Sequence, residues 1–203
     1  MGWETKLGKI FEECKTDKHE HNYQKTYGQV FDVIGEPEKL IEIGISRCGS
    51  AGAWYMAFKN TNIYAVDIER KDPYRMWRTL KNSKRVHFLY GYDSTQEHHR
   101  YAPHFKFDEG PADIIIDDGN HLVQYQFATW IVFHRHFKEA YIIEDIIGDY
   151  NLEILKHMIP HFGYEFKVEK SEKPIPETQK VPKNLYIMTI YHKDSKLGKF
   201  YNV

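Results

Sequence analysis

The sequence lacks an excess of charge of either sign. Its 203 residues include 28 lysines and arginines against 29 aspartates and glutamates, for a formal net charge of -1 at pH 7. Because proteins that hold nucleic acid by bulk electrostatics carry a basic excess, we expect no nucleic-acid partner. Long apolar runs are missing as well. None approaches the roughly 18 residues that a membrane-spanning helix needs, so we expect no membrane span.

Cysteine is equally scarce. Cys14 and Cys48 are the only two, too few for a disulfide framework or a zinc knuckle, and we interpret both as reduced thiols. Residues 1–21 are charged from the start and have no apolar centre of the kind found in signal peptides. These features predict a cytoplasmic protein.

Aromatic residues, at 15% of the chain, are frequent enough to predict a folded domain with a sizeable core.

Two amphipathic helices are predicted near the N-terminus. Apolar side chains recur at helical spacing over residues 7–14 and again over 23–34, and Gly35 ends the second run. The polar stretch TDKHEH lies between the two helices. We therefore expect a helical segment ahead of the first strand.

Beyond this segment, short apolar runs alternate with helical stretches. The predicted strands cover 39–44, 62–67, 85–90, 112–117 and 141–144, and the predicted helices cover 49–59, 73–81, 121–137 and 150–161. This alternation predicts an α/β fold in which helices cover both faces of a parallel sheet. Two last strands, 163–169 and 185–192, predict an antiparallel C-terminal hairpin that completes a seven-stranded, mostly parallel sheet. The loop between them, 171–184, is predicted to be mobile.

Acids or glycine follow the five strands that are predicted to be parallel. In an open α/β sheet, ligands bind outside the carboxyl ends of the strands. The residues at this edge are Glu42 and Gly44, Asp67, Asp93, Asp117 and Asp118, and finally Glu144 and Asp145. Five strands that deliver such residues to one edge concentrate negative charge there, and that charge requires a cation.

The loop after the first strand is typical of a nucleotide-binding loop. Gly44 permits a tight turn and a close approach of the backbone to a ligand, whereas Ser46 replaces the second glycine of the dinucleotide fingerprint. The loop also lacks the lysine and hydroxyl pair that a triphosphate requires. Asp67 is positioned to accept hydrogen bonds from two ribose hydroxyls. The pattern predicts a ligand that contains adenosine but no bound pyrophosphate.

A second group of residues has the chemistry of a metal site. Asp118, Glu144 and Asp145 follow neighbouring strands, which lie about 4.8 Å apart, so their carboxylates can share one ion. Carboxylate oxygens suit Mg²⁺, Mn²⁺ or Ca²⁺, and three of them with a few waters favour Mg²⁺ over zinc. His121 lies three residues beyond Asp118 and could be a ligand, a base or a helix cap.

Several segments carry a resemblance to a known family. LIEIGISRCGS (40–50), YAVDI (64–68), DIIIDDGNH (113–121) and YIIEDI (141–146) resemble stretches of class I S-adenosylmethionine-dependent O-methyltransferases. TDKHEHNYQKTY (16–27) resembles a segment of the metal-dependent branch that methylates sugar hydroxyls, including those of macrolide antibiotics. The specific part is the DDGxH and IED pair. A compact unit of this kind is also similar to methyltransferase domains of glycan-building proteins, including those of large algal viruses.

The resemblance implies a role for each candidate residue. It implies that Asp118, Glu144 and Asp145 hold Mg²⁺ or Mn²⁺. It also implies that His121 is the general base. The cofactor-binding residues that it implies for S-adenosylmethionine are Thr16, Asp17, Lys18, Glu42, Gly44, Ser46, Asp67, Asp93 and Asp117. In the family, the acid of the second strand holds the ribose, and the residues corresponding to 16–18 belong to a lid.

The resemblance further implies a single Rossmann-like domain over residues 1–203, with a helical lid at 1–36 and the core at 37–203. The implied reaction transfers a methyl group to a hydroxyl of a sugar, such as a deoxysugar or a glycan terminus, with help from the metal. The expected location is the cytoplasm, or the host cytoplasm for a viral protein, and the oligomeric state is left open. The sequence departs from the family at Cys48-Gly49, where a glycine pair is usual.

Other interpretations remain at this point. A catechol-like or other small diol could replace the sugar, with the same metal chemistry. A nicotinamide-dependent oxidoreductase would share the fold class, but the sequence has no GxGxxG motif in the first loop. A binding domain without catalysis is disfavoured, because carboxylates that are crowded together without a function repel one another and cost stability.

Overall fold

The structure is a computed structural model that describes residues 2–69, 77–96, 110–171 and 184–202. The strands are β1 (Lys39–Ile43), β2 (Asn62–Asp67), β3 (Val86–Tyr90), β4 (Ala112–Asp117), β5 (Phe137–Ile147), β6 (Glu165–Lys170) and β7 (Leu185–Tyr191). The helices are α1 (Trp3–Cys14), α2 (Asp17–Glu20), α3 (Gln24–Ile34), α4 (Gly49–Ala57), α5 (Trp77–Leu80), α6 (Val123–Phe133), α7 (Asp149–Met158) and α8 (Lys196–Tyr201). A 3₁₀ turn covers Ile159–Phe162.

All seven strands form one sheet in the order β3-β2-β1-β4-β5-β7-β6. The first five strands along the chain are parallel to one another, whereas β7 runs antiparallel to both β5 and β6. The predicted α/β fold with a mostly parallel sheet and an antiparallel C-terminal hairpin is therefore confirmed. Because helices cover the parallel strands on both sides, their sequences are continuous apolar runs rather than alternating patterns.

One face of the sheet carries α1, α3, α4 and α8. Trp54 of α4 is fully buried there against the rings of Phe11, Tyr27 and Phe31. Full burial of a large apolar side chain stabilises a fold by about 1.5–3 kcal/mol. The N-terminal helices are thus part of the core layer. Their action as a lid stays a prediction.

The opposite face carries α6 and α7. Trp130 of α6 is fully buried and meets Tyr141 of β5 and Tyr164 edge to face. The two separate clusters confirm that helices lie on both faces. None of the helices in the described ranges combines the length and the apolar character that crossing a bilayer requires.

Several element boundaries differ from the sequence prediction. The predicted helix 121–137 ends at Phe133, because the His136 N–H donates to the Phe133 carbonyl and closes a turn ahead of β5. Helix α8 was not predicted, although Ser195 caps it by accepting a hydrogen bond from the Gly198 N–H. Part of the predicted helix 73–81 and most of the loop 171–184 lie outside the described residues.

Candidate functional site

A cleft of about 770 Å³ opens at the carboxyl ends of β1, β2 and β4. The predicted site residues in its lining are Thr16, Asp17, Gly44, Ser46, Asp67, Asp93, Asp118 and His121. Four other predicted residues are buried outside the lining: Lys18, Glu42, Asp117 and Glu144. The carboxyl edge of the sheet therefore does bring the predicted residues together, but in two layers, one facing the cleft and one behind it.

Gly44 joins the loops that follow β1 and β4. Its φ is +84°, and a Cβ atom at this position would lie 2.0 Å from the carbonyl oxygen of Asp118. Only glycine fits so close to another backbone in this conformation. Ser46 and Cys48 also have positive φ values, of 43° and 65°. The turn into α4 is therefore tightly wound and keeps its backbone against the cleft.

Asp67 fixes this turn from the end of β2. Its Oδ2 accepts hydrogen bonds from the backbone N–H groups of Ile45 at 3.1 Å and Ser46 at 3.0 Å, and its Oδ1 accepts one from Glu69 at 3.0 Å. A carboxylate offers about four acceptor positions, so this arrangement leaves about one for a ligand hydroxyl. Asp67 therefore holds the loop as well as facing the cleft.

The loop after β3 forms a third wall of the cleft. Asp93 Oδ1 accepts hydrogen bonds from the Thr95 N–H at 3.0 Å and from its hydroxyl at 2.6 Å. Ile68 lines the same part of the cleft and is 61% exposed. The sequence analysis missed Ile68, although its place directly after the acid of β2 was a usable signal. An exposed branched side chain here offers an apolar wall to a flat ring.

Asp118 and His121, which line the cleft, converge with Asp145, which lies outside its lining. One nitrogen or oxygen atom from each lies within 4.8 Å of the other two, and no other group of three such residues occurs in the described ranges. His121 Nε2 lies 3.8 Å from Asp145 Oδ2, and the imidazole is 39% exposed. Two carboxylates and an imidazole are suitable ligands for a divalent cation.

A bulge in β5 aims Asp145 at this group. The pairing of β5 with β7 shifts register between Ile143 and Ile146, and Asp145 has a φ of 52°. Bulges of this kind often redirect a side chain beside an active site. Tyr23 holds the bulge, because its hydroxyl donates to Asp145 Oδ1 at 2.6 Å and accepts from the Asp145 N–H at 3.3 Å.

Glu144 faces away from that group. One of its oxygens accepts a hydrogen bond from the Tyr27 hydroxyl, and Oε2 lies 2.5 Å from Lys18 Nζ. The Lys18 ammonium also contacts Asp118 Oδ2 at 2.8 Å and Glu42 Oε1 at 3.3 Å, and its side chain is 0% exposed. Lys18, which we expected in a lid over the cofactor, thus lies inside the acid cluster.

Burial and charge shift the pKa values of this cluster. Burial raises the pKa values of Asp118 and Glu144 above their ordinary range, although the Lys18 ammonium opposes the change. Burial lowers the pKa of Lys18, but the surrounding carboxylates outweigh it and hold that pKa well above its usual value. Burial also raises the pKa of Asp117 to about 7. Asp117 accepts hydrogen bonds from Tyr141 and from the Gly119 N–H.

Solved structures similar to this chain include several methyltransferases. MycE, a methyltransferase from the mycinamycin biosynthetic pathway in complex with Mg and S-adenosylhomocysteine, is 25% identical over 68% of this chain and 39% of its own, with a TM-score of 0.56. A second crystal form is 19% identical over 94% of this chain and 54% of its own, with a TM-score of 0.63. This chain therefore spans less than two thirds of the MycE chain.

A further neighbour is an O-methyltransferase from Bacillus cereus in complex with S-adenosylhomocysteine. It is 13% identical, covers 90% of both chains and has a TM-score of 0.58. The sequence matches no family model and no curated protein. The chain has the Rossmann-like fold of these methyltransferases, a mostly parallel seven-stranded sheet with helices on both faces.

Proposed function

We propose that this chain transfers a methyl group from S-adenosylmethionine to a hydroxyl of a sugar, with assistance from a divalent cation. One observation carries the proposal. The tightly wound glycine loop, Asp67 and Asp93 line the same cleft as Asp118 and His121, which form with Asp145 a group of two carboxylates and an imidazole. A methyl donor and an acceptor oxygen must meet in such a cleft for transfer to occur.

The donor end of the cleft suits S-adenosylmethionine. Gly44 lets the loops after β1 and β4 pack closely, and its backbone lines the cleft, where the methionine part of the donor would lie. Asp67 retains an acceptor position for the ribose, and Ile68 with Asp93 offers an apolar wall and a carboxylate to the adenine. Thr16, Asp17 and Ser46 would complete the enclosure.

The acid end suits Mg²⁺ or Mn²⁺. Asp118 and Asp145 would hold the ion, because Mg²⁺ is commonly bound by one or two carboxylates with substrate and water oxygens in the other positions. The sequence also predicts Glu144 as a third ligand, but Glu144 is not a member of this group. When bound, the ion supplies Lewis-acid stabilisation, which lowers the pKa of a coordinated hydroxyl.

His121 would act as the general base. Its Nε2 lies on the side of Asp145, where an acceptor hydroxyl would be held, and its exposed imidazole faces the cleft. As the acceptor oxygen bonds to the methyl carbon, His121 takes the hydroxyl proton and S-adenosylhomocysteine leaves. General base catalysis of this kind contributes about 10²–10⁴ to a rate.

The sugar acceptor is supported by two features. Leu122, 53% exposed, and Tyr125, 43% exposed, follow His121 in the sequence and provide apolar surface on which a sugar ring can lie. One crystal of the MycE neighbour contains Mg, S-adenosylhomocysteine and mycinamycin VI. We propose a hydroxylated acceptor of that general kind, in the cytoplasm.

The test is methyl transfer itself. The chain is incubated with S-adenosylmethionine, Mg²⁺ and two matched panels, glycosides and catechols, and the products are examined by mass spectrometry for the gain of one methyl group. We expect methylated glycosides and no product in EDTA. Methylation of catechols alone would contradict the proposal that the acceptor is a sugar. An unchanged rate in EDTA would contradict the proposed role of the metal. No transfer to any acceptor, with thermal stabilisation by NAD rather than S-adenosylhomocysteine, would overturn the whole proposal.

A further inference from the structure

Lys18 is the unexpected member of the acid cluster. It comes from α2, whereas the acids around it come from β1, the loop after β4, and β5. Its ammonium has three N–H donors, and it has three carboxylate neighbours, in Glu42, Asp118 and Glu144. The ammonium donates hydrogen bonds to Asp118 and Glu144 and forms an ion pair with Glu42, and these negative neighbours allow a lysine to remain charged with its side chain fully buried.

The two carboxylates after β5 have different surroundings. Both oxygens of Glu144 are engaged, one by Lys18 and one by Tyr27, and its side chain is 2% exposed. Asp145 is 15% exposed and has Oδ2 on the side of His121. Asp118 Oδ2 accepts a hydrogen bond from Lys18, and the Asp118 side chain is 14% exposed. Its Oδ1 is therefore the oxygen that can turn to the cleft.

We propose that Lys18 is a positioning residue of the metal site, whose ammonium keeps Glu144 behind the site and leaves Asp118 and Asp145 as the carboxylates that hold the cation. The inference rests on the metal role in the proposed function and assigns a task to each charged group. The Lys18 side chain is fully buried and is not part of the cleft lining. It acts by fixing Glu144 and one oxygen of Asp118.

The charge of Lys18 has a second consequence. A divalent ion bound to Asp118 and Asp145 must lie close to the Lys18 ammonium, because Asp118 contacts both. The repulsion between the two cations weakens the ion's binding. Lys18 therefore orders the apo site and at the same time limits the affinity for the metal, two effects that a purely structural lysine would not combine.

The test measures binding of Mn²⁺ alone to the full chain, by electron paramagnetic resonance of the free ion. Asp145→Asn, which keeps a side chain that tolerates positive φ, should weaken Mn²⁺ binding by about tenfold or more. Glu144→Gln should change it by less than about threefold, since that side chain is not a ligand. Glu153→Gln, at an exposed acid paired with Lys156, is the control.

Lys18→Met separates positioning from structural support. Loss of the ammonium removes the repulsion and releases Glu144, so Mn²⁺ should bind about tenfold or more tightly. Mn²⁺ should also raise the unfolding temperature of this variant more than that of the wild type, because the ion replaces a missing cation. A lysine with only a structural role would give weaker binding or none.

Each outcome decides a different point. If Glu144→Gln weakens Mn²⁺ binding as much as Asp145→Asn does, Glu144 is a ligand and the inference is wrong, while the proposed function stands. If Lys18→Met is folded and binds Mn²⁺ more weakly than the wild type, the inference is also wrong. If Lys18→Met does not fold, the Glu144→Gln result decides alone. If neither the wild type nor Lys18→Met binds Mn²⁺, the metal role in the proposed function fails as well.

Discussion

The amino and carboxyl edges of the sheet both carry acids, but the two edges use them differently. At the amino edge, Asp113 Oδ2 accepts hydrogen bonds from the backbone N–H groups of Glu38 at 2.7 Å and Lys39 at 2.9 Å, and Oδ1 lies 3.3 Å from Lys138 Nζ. Both oxygens of this carboxylate have partners that belong to the fold itself. Its role is therefore to hold β1 and β4 in register.

At the carboxyl edge, acids outnumber their cations. Glu42, Asp118 and Glu144 share the single ammonium of Lys18, while Asp145 turns to His121. Burial of this cluster costs stability unless a further positive charge joins it. An acid at a strand end is therefore weak evidence for a site by itself. A surplus of acids that faces a cleft is much stronger evidence.

The largest effect should come from the residue that moves a proton. His121→Ala should lower kcat by about 10²–10⁴, because the acceptor hydroxyl loses its base. The affinity for S-adenosylhomocysteine should stay close to that of the wild type. The matched control is His157→Ala, at the exposed C-terminal end of α7, which should leave kcat unchanged. A near wild-type kcat for His121→Ala would refute the assignment of His121 as the general base.

The second prediction compares two glycines with positive φ. Gly44→Ala places a methyl group 2.0 Å from the Asp118 carbonyl oxygen, whereas Gly35, with a φ of +78°, has nothing within 4 Å of its Cβ position. Both substitutions strain the backbone, at about 1–3 kcal/mol each. Only Gly44→Ala should also force the two loops apart and lower the affinity for S-adenosylhomocysteine, by about 30-fold or more. Calorimetric titration of both variants is the measurement.

Equal loss of affinity in the two glycine variants would mean that general destabilisation, and not the close approach of the loops, controls donor binding. Thermal unfolding of each variant without ligand supplies the correction for stability. Gly35→Ala should unfold at a lower temperature than the wild type and still bind S-adenosylhomocysteine normally.

The third prediction compares the carboxylates that bind backbone N–H groups at the two edges. Asp67→Asn and Asp113→Asn should each lower the free energy of unfolding by about 1–3 kcal/mol, because both weaken charge-assisted hydrogen bonds. Asp67→Asn alone should also lower the affinity for S-adenosylhomocysteine, by about tenfold. If Asp113→Asn does the same, the donor affinity reports stability and the cofactor role of Asp67 is refuted.

Much of the fold was accessible from the sequence, because the signal for a buried parallel strand is local. The run Ala112–Asp117 has three consecutive isoleucines and ends in an acid, and the structure places β4 there with the same bounds. The prediction fails where tertiary contacts decide. Residues 134–136 lie inside the predicted helix 121–137 yet form a turn, because β5 must start at Phe137 to pair with Ala112.

For the site, the sequence predicts which acids lie close together. It does not predict which of them face Lys18 and which face His121. Glu144 and Asp145 are neighbours in the chain, and alternation in a strand implies opposite faces only while the strand is regular. The bulge that turns Asp145 toward His121 depends on Tyr23, 122 residues away. The burial of Lys18 depends likewise on α2 packing against three separate strand ends. No local pattern could predict either feature.

The smallest predicted effect tests the tyrosine that holds the bulge. Tyr23→Phe removes the hydroxyl that donates to Asp145 Oδ1 and accepts from the Asp145 N–H. A hydrogen bond is worth about 1 kcal/mol net, so Mn²⁺ affinity should fall by about fivefold as Asp145 loses its fixed orientation. Titration of Mn²⁺ into the apo variant measures this loss.

Tyr186→Phe is the matched control, because its hydroxyl also donates to an aspartate, Asp149, but on the exposed surface at the start of β7. It should leave Mn²⁺ affinity unchanged. If the two variants bind Mn²⁺ alike, the bulge does not need Tyr23 to present Asp145. In that case Lys18 and the strand ends alone would hold the acids of the carboxyl edge in position, and Tyr23 at the start of α3 would not be needed.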